Sequence, residues 1–412
     1  MLVINIKNIR QILDETSYER VAGTENEFKC ANYLVNKCKE LGFEARLEGF
    51  DIRIHTQESA KLVVDGKEIE CCAFGGTGSG SATGTIYCVE GFDDVSLENV
   101  KDKIVLCQKM VNIKTMNLLK EKGAKAFITI NGNVNIANKD VLKRGFGNKT
   151  QENERIIGVN IHIKDAVKIV RKKKSQVAKI SVKQTESTAK SYNVVVDVPG
   201  ESEKYIILTA HYDSTQFSHG AFDNMSSCIG LLHILEYFKT HKRKLGIKIV
   251  FCGSEEIGLV GSRVYCRDHK DELCNAILNV NLDMLGCFMG RFTAFSCIDE
   301  KTQEFLKNFA KENNYPAEVM HSIRSSDQNP FLVNDVKAVS FARYPVADTG
   351  EIHTRYDTKK IVDAKQLYND IDFVAKFCDF AVNNPEFFEG LEISEKIKTS
   401  AQESINKQRD LL

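Results

Sequence analysis

The chain has 412 residues, of which 42% are hydrophobic and 27% charged, with 56 basic side chains balanced by 56 acidic ones. Such a composition excludes disorder, collagen and coiled-coil rods, and at roughly 150 residues per domain the length predicts two to three domains, with enough chain for a sizeable core. The zero formal balance gives no reason to expect nucleic acid or an anionic membrane as a partner. At the amino terminus there is neither a long apolar region nor a small-residue cleavage site, so no secretory signal is read. No apolar run reaches the roughly 18 to 20 residues that span a bilayer. Thirteen cysteines, an odd number, lie scattered in apolar segments such as IVLCQ and IVFCGS. They read as small buried thiols in a reducing compartment, and a cytoplasmic location is expected.

Residues 7–42 carry apolar positions at helical spacing, with Ile9, Ile12 and Leu13 in one stretch and Ala31, Leu34, Val35 and Leu41 in the next. Gly23 ends the first pattern, and Thr24 or Asn26 is placed to cap the second. A strand is predicted after Gly42, in FEARLEGFDIRI. From about 56 to 188 the pattern changes to short β-like runs, KLVVDG, GTIYCVE, DKIVLCQ, AFITIN and IIGVNIHI, with one helix, NIKTMNLLKEKG, closed by Gly123. GGTGSGSATG at 75–84 reads as a flexible turn, because it lacks the GK[ST] ending of a phosphate loop. RKKK at 171–174 reads as the solvated end of a helix.

After residue 190, continuous apolar runs of the buried-strand kind, YIILTAH, IKIVFCG, AILNVNLDM and KAVSFAR, alternate with helical stretches. These helices are SSCIGLLHILEYFKTH, TQEFLKNFAKENN and KQLYNDIDFVAKFCDFAVNN. Alternation of this kind predicts an α/β sheet covered by helices on both faces. The changes near 56 and 190 predict a discontinuous domain, 1–55 and 190–385, with a β-rich domain at 56–189 inserted into it. A charged tail, 386–412, has Ile397, Ala401 and Ile405 at helical spacing, and it either docks on the body, supports a homo-oligomer or stays solvated.

Polar clusters follow the apolar strands: HYD at 211–213, SEE at 254–256 and LDM at 282–284. The carboxyl ends of strands are where open α/β sheets build their sites. GAFDN at 220–224 precedes a helix, and GEIHTRYDT at 350–358 follows a strand. Together they gather His211 and His353 with Asp213, Asp223, Glu255, Glu256 and Asp283. So many anions at one end of a sheet would repel one another unless cations sat among them. Imidazole with carboxylate and no nearby thiolate suits catalytic zinc. Taken singly, each residue has an ordinary explanation, Asp223 as an N-cap and the paired glutamates as acids at a helix start. Their conjunction is what points to a site.

The series HYDS, GAFDNMSS, FCGSEEIGLVGS, NVNLDMLG, SSDQNPF and IHTRYDT resembles, in order and approximate spacing, the M28 family of co-catalytic dizinc metallopeptidases, which includes many aminopeptidases. Residues 7–55 and 190–385 share the resemblance, and 56–188 is similar to the protease-associated domain often inserted in such enzymes. The resemblance implies a zinc-exopeptidase fold, a mixed and mostly parallel sheet sandwiched by helices. It also implies two Zn2+ ions. His211 and Asp283 would bind one, Glu256 and His353 the other, and Asp223 would bridge them. Glu255 would serve as general base and acid, with Asp213 orienting His211. Phe222 and Gln328 depart from the family's usual polar residue and histidine, which puts pocket shape in question more than chemistry. His219, His233, His321, Arg324 and Tyr344 are weaker candidates for substrate contact.

The expected activity is an aminopeptidase acting on peptide substrates. A carboxypeptidase or dipeptidase would use the same site, with an arginine such as Arg324 or Arg343 for the free carboxylate. A non-catalytic binding module would have lost ligands or the base, and all six residues are present. Cyclisation or acyl transfer at a single zinc fits a complete ligand set less well.

Overall fold

The computed structural model describes residues 5–136, 138–146, 155–172, 174–346 and 349–408. Helix α1 (Ile6–Glu15) starts where the Asn5 side chain accepts from the Lys7 and Asn8 N–H groups, and α2 (Glu25–Glu40) starts at Thr24, which accepts from Glu27. A single strand, β1 (Ala45–Val64), then carries the chain out of the region of these helices. Next come β2 (Lys67–Ile69), β3 (Cys71–Ala73), β4 (Gly80–Val89), β5 (Ile104–Cys107), α3 (Ile113–Glu121), β6 (Ala126–Asn131), β7 (Ile157–His162) and α4 (Ile163–Val170). The 22-residue β8 (Val177–Val198) follows. Beyond it lie β9 (Tyr205–His211), α5 (Ser226–Tyr237), β10 (Gly246–Cys252), α6 (Val260–Asp268), β11 (Ala276–Leu282) and β12 (Gly290–Ser296). The chain closes with α7 (Glu300–Glu312), β13 (Glu318–His321), α8 (Gln328–Leu332), β14 (Ala338–Pro345), α9 (Ala364–Asn383), α10 (Pro385–Glu389) and α11 (Glu395–Asn406). Among the described residues no helix is long and apolar enough to cross a membrane.

The described residues fall into two units, one within 1–52 and 189–411 and the other within 53–188. In the first, the strand order is β13-β12-β14-β11-β9-β10-β8. Along this order β12 with β14 and β10 with β8 are antiparallel and the other neighbours parallel, so the sheet is mixed and mostly parallel. Successive residues of β9 point to opposite faces. Ile206, Leu208 and Ala210 join a core with Ile229 and Leu232 of α5 and Phe377 of α9, while Tyr205 and Ile207 join Tyr265 of α6 and Phe331 of α8. Burial on both faces is why the strand is a continuous apolar run. Ten residues of α5 are buried. Such a helix is apolar all round because it has no solvated side.

In the second unit, β4, β5, β6 and β7 are parallel neighbours, flanked by the antiparallel β3 and by residues 177–182 of β8. Two apolar clusters fill it, one around Ile104, Ile128 and Val159, the other around Phe74, Phe127 and Phe146.

Several local expectations change. Gly80 to Gly84, read as part of a turn, pair with Ala178 to Val182 as the start of β4, so the turn is confined to the residues before Gly80. β1 and β8 each run as one strand where the sequence showed a break; the exposed stretches around Glu58 and Glu186 carry no apolar alternation, so ladder hydrogen bonds hold a strand that periodicity does not reveal. Helix α6 lacks a side-chain cap and begins Val-Gly-Ser, which hid it. Of the alternatives for the tail, docking is observed: Ile397 and Ala401 of α11 are buried with Phe295, Leu332 and Ile393.

Candidate metal centre

The parallel strands β9, β10 and β11 end on the same side, with β9 in the middle. The chain leaves β9 toward β10 and then crosses to β11, which makes the end of β9 a switch point and opens a crevice there. His211 is the last residue of β9 and pairs with Cys252, the last of β10. Glu255 and Glu256 follow β10, Asp283 follows β11, Asp223 precedes α5, and His353 stands in the loop between β14 and α9.

Asp223 is the hinge of the arrangement. Its Oδ1 lies 3.1 Å from His211 Nε2, and its Oδ2 lies 3.0 Å from His353 Nε2. His211 Nε2 is also 3.7 Å from Asp283 Oδ1, and His353 Nε2 is 3.1 Å from Glu256 Oε2. His211, Asp223 and Asp283 therefore bring ligand atoms within 4.8 Å of one another, as do Asp223, Glu256 and His353. Glu256 Oε1 and Asp283 Oδ1 are buried without a hydrogen-bond partner. Buried acceptors left bare are costly, and cations between them would satisfy both. Imidazole and carboxylate donors in two groups that share one carboxylate fit borderline divalent ions such as zinc.

A ring of buried groups holds these residues by their backbones. Asp213 lies 3.4 Å from His211 Nδ1, and its two oxygens accept from the N–H groups of Glu255 and Glu256 at 2.9 and 3.1 Å. Asn224 brackets Asp283, donating to the Leu282 carbonyl and accepting from the Met284 N–H. Glu27 of α2 accepts from the N–H and hydroxyl of Ser254, beside the glutamate pair. Arg20 is fully buried and donates to the carbonyls of Thr16, Tyr18, Tyr212, His219 and Gly220, tying together the loop that links His211 to Asp223. Gly220 sits there at φ +55°, where a Cβ would meet Asp223 O at 2.7 Å and Arg20 Nη2 at 2.8 Å. Ser254, Met284 and His353 also adopt left-handed backbone, with φ of 57°, 62° and 58°, a conformation that is rare outside glycine and recurs at functional sites.

Burial raises the Glu255 carboxyl well above its usual range, and the charges of Asp327, Glu256 and Asp283 add to this against the pull of His211. Burial also disfavours the Asp223 anion, yet hydrogen bonds from His211 and His353 hold its carboxyl well below the usual range. The Glu256 charge, helped by Asp223, pushes His353 up to about 12. Two imidazoles gripped by carboxylates are what the ligand set becomes when protons stand in for cations.

A cavity of about 280 Å³ is lined by His211, Asp223, Glu255, Glu256, Asp283 and His353 together with Gly258, Leu259, Met284, Ser325, Ile352 and Gln408. The weaker candidates lie elsewhere. His219 bonds Ser17, His233 packs edge-on against Tyr368, His321 bonds Ser394, and Arg324 lies over the rings of Phe295 and Tyr344. Phe222 is core, and Gln328 bonds Asn281 and the Arg324 carbonyl, so neither departure from the family pattern touches this cavity. Arg20, Glu27 and Asp357, whose carboxylate grips the Asp223 segment, were missed by sequence reasoning. Asp357 had a signal in its place in IHTRYDT, and Arg20 and Glu27 lie in RVAGTENE, within the opening stretch that shares the resemblance.

Residues 193–378 match the profile of peptidase family M28. That stretch is similar to the M28 peptidases. Aminopeptidase YwaD of Bacillus subtilis is 28% identical over 286 residues, 66% of this chain and 60% of that protein. A vacuolar membrane protease of Vanderwaltozyma polyspora is 28% identical over 125 residues, 30% of this chain and 13% of that protein. The matched part thus spans less than two thirds of the length of these relatives. Among solved structures, the zinc aminopeptidase BSAP from Bacillus subtilis superposes with a TM-score of 0.76 at 22% identity, covering 97% of this chain and 100% of that one. The matched residues include strands β9 to β14 and the loops that carry all seven candidate site residues.

Proposed function

We propose that the protein is a co-catalytic dizinc aminopeptidase that releases amino-terminal residues from peptides. The observation that carries this reading is Asp223, whose two oxygens face two separate histidines and so belong to both groups of ligand atoms. His211 and Asp283 would hold one zinc and Glu256 and His353 the other, with Asp223 between them. The cations would supply Lewis acidity, making an attacking water more acidic and polarising the scissile carbonyl. Glu255 accepts the proton of that water at a carboxylate oxygen and returns it to the departing amine. A carboxyl group raised by burial and neighbouring anions suits a residue that must hold a proton and release it. Asp213 fixes the glutamate pair through its backbone, so that Glu255 and Glu256 keep separate tasks.

The walls favour an amine end over a carboxylate end. No lysine or arginine is among the described residues that line the cavity. Arg343 is committed to a buried pair with Asp370 and a contact to Tyr315, and Arg324 to two rings, so neither is free to fork a substrate carboxylate. The aminopeptidase names of the relatives support the same direction. The test is release of free amino acids from unblocked peptides with amino-acetylated copies as control; cleavage of the acetylated copies from their other end would replace this reading with a carboxypeptidase.

For location, we place the protein in the cytoplasm, since all thirteen cysteines are unpaired and most are buried. The protease-associated identity of the inserted unit rests on its sequence resemblance.

A further inference from the structure

Helix α11 lies beyond the M28 match, which ends at residue 378, and is anchored by Ile397 and Ala401. Its polar side carries Ser404, whose hydroxyl accepts from Asn329 Nδ2 at 2.9 Å and meets the Ser325 hydroxyl at 3.4 Å. One turn further, Gln408 Nε2 reaches the same Ser325 hydroxyl at 3.5 Å. Ser325 and Gln408 both line the cavity that holds the candidate ligands. The segment just after α11 therefore supplies part of the wall of the site.

Among the described residues, the lining outside the six ionisable ones is uncharged: Gly258, Leu259, Met284, Ser325, Ile352 and Gln408. The volume of about 280 Å³ falls just below the range of typical ligand pockets, about 300 to 1,000 Å³. With the scissile carbonyl beside Glu255, these walls face the residue being released. Each wall side chain then bears directly on which residue fits.

We propose that Gln408, held against Ser325 by the docking of α11, is a specificity-determining residue that limits the size of the terminal side chain the site accepts. The proposal rests on the aminopeptidase reading above. Shortening Gln408 opens the wall, while Ile397 and Ala401 keep the helix docked.

The experiment compares the full chain, Gln408→Ala and a chain ending at Lys407, each loaded with zinc, on alanine and phenylalanine p-nitroanilides. Both variants are expected to raise the ratio of kcat/KM for phenylalanine over alanine by about tenfold, mostly through KM, with metal content unchanged. A ratio that stays within about twofold of the full chain in both variants, while free amino acids are still released, overturns the role of Gln408 alone. Failure of every form, the full chain included, to release amino acids from either substrate overturns this proposal together with the aminopeptidase reading.

Discussion

Asp357 grips Asp223 through the backbone: its Oδ1 accepts the Phe222 N–H at 2.9 Å and its Oδ2 accepts the Asp223 N–H at 3.1 Å. Asp213 treats Glu255 and Glu256 in the same way. Two buried carboxylates thus spend their oxygens on peptide N–H groups, which leaves the side chains of Asp223, Glu255 and Glu256 free to face the cavity.

Asp357→Asn puts an NH2 group against one of those two N–H donors. Unfolding should become easier by about 1 to 3 kcal/mol, the cost of one buried donor left unsatisfied. Zinc titration followed by calorimetry should also show weaker binding, because Asp223 loses its support. Unchanged affinity would detach Asp357 from the centre.

Glu255→Gln keeps the shape of the side chain and removes its ability to take a proton. Turnover should fall by about 10² to 10⁴, the usual worth of a positioned general base, while metal content stays the same. Loss of metal in this variant would mean that Glu255 and Glu256 have exchanged roles.

Arg20→Met leaves the carbonyls of Thr16, Tyr18, Tyr212, His219 and Gly220 without the guanidinium that joins them. A loss of about 3 kcal/mol or more is expected in urea denaturation. Arg20→Lys should recover only part of it, because an ammonium cannot reproduce the planar fork. Full recovery by lysine would mean that charge matters here and the fork does not.

Burial, reinforced by the Asp213 charge, pushes the Glu27 carboxyl from its usual 4.5 up to about 8. Between these values the folded chain holds a proton that the unfolded chain has released, so stability should fall as pH rises from about 4.5 to 8. Asp357, pushed up to about 7 by burial and Asp223, adds to the lower part of that decline. Denaturant midpoints across this range, taken in a chelator, should show a shallower decline for Glu27→Gln than for the natural chain. Identical profiles would rule out Glu27 as a source.

Much of the site could be read before the fold was known. YIILTA, IKIVFCG and AILNVN announce buried parallel strands, and the residues just beyond the ends of such strands land in one crevice, so His211, Glu255, Glu256 and Asp283 are legible from pattern alone. Asp223 and His353 sit in loops, where polar clusters beside a helix start and after a strand marked them less sharply than a strand end does. The supporting residues were hidden for a physical reason. Glu27 meets Ser254 across 227 positions, and Arg20 meets Tyr212 across 192. A buried side chain that serves distant backbone leaves no periodicity behind. The spacing of Ile397 and Ala401 signalled an amphipathic helix in the tail, yet nothing in it indicated that Gln408 would reach the cavity.

The central claim is that Asp223 joins two cation sites, and metal content per chain of the natural protein and of Asp223→Ala after zinc loading and desalting tests it most directly. The account predicts two zinc ions in the natural chain and, in the variant, loss of that paired stoichiometry together with peptidase activity. Two ions retained by Asp223→Ala would contradict it, as would a natural chain that releases amino acids while holding one ion or none.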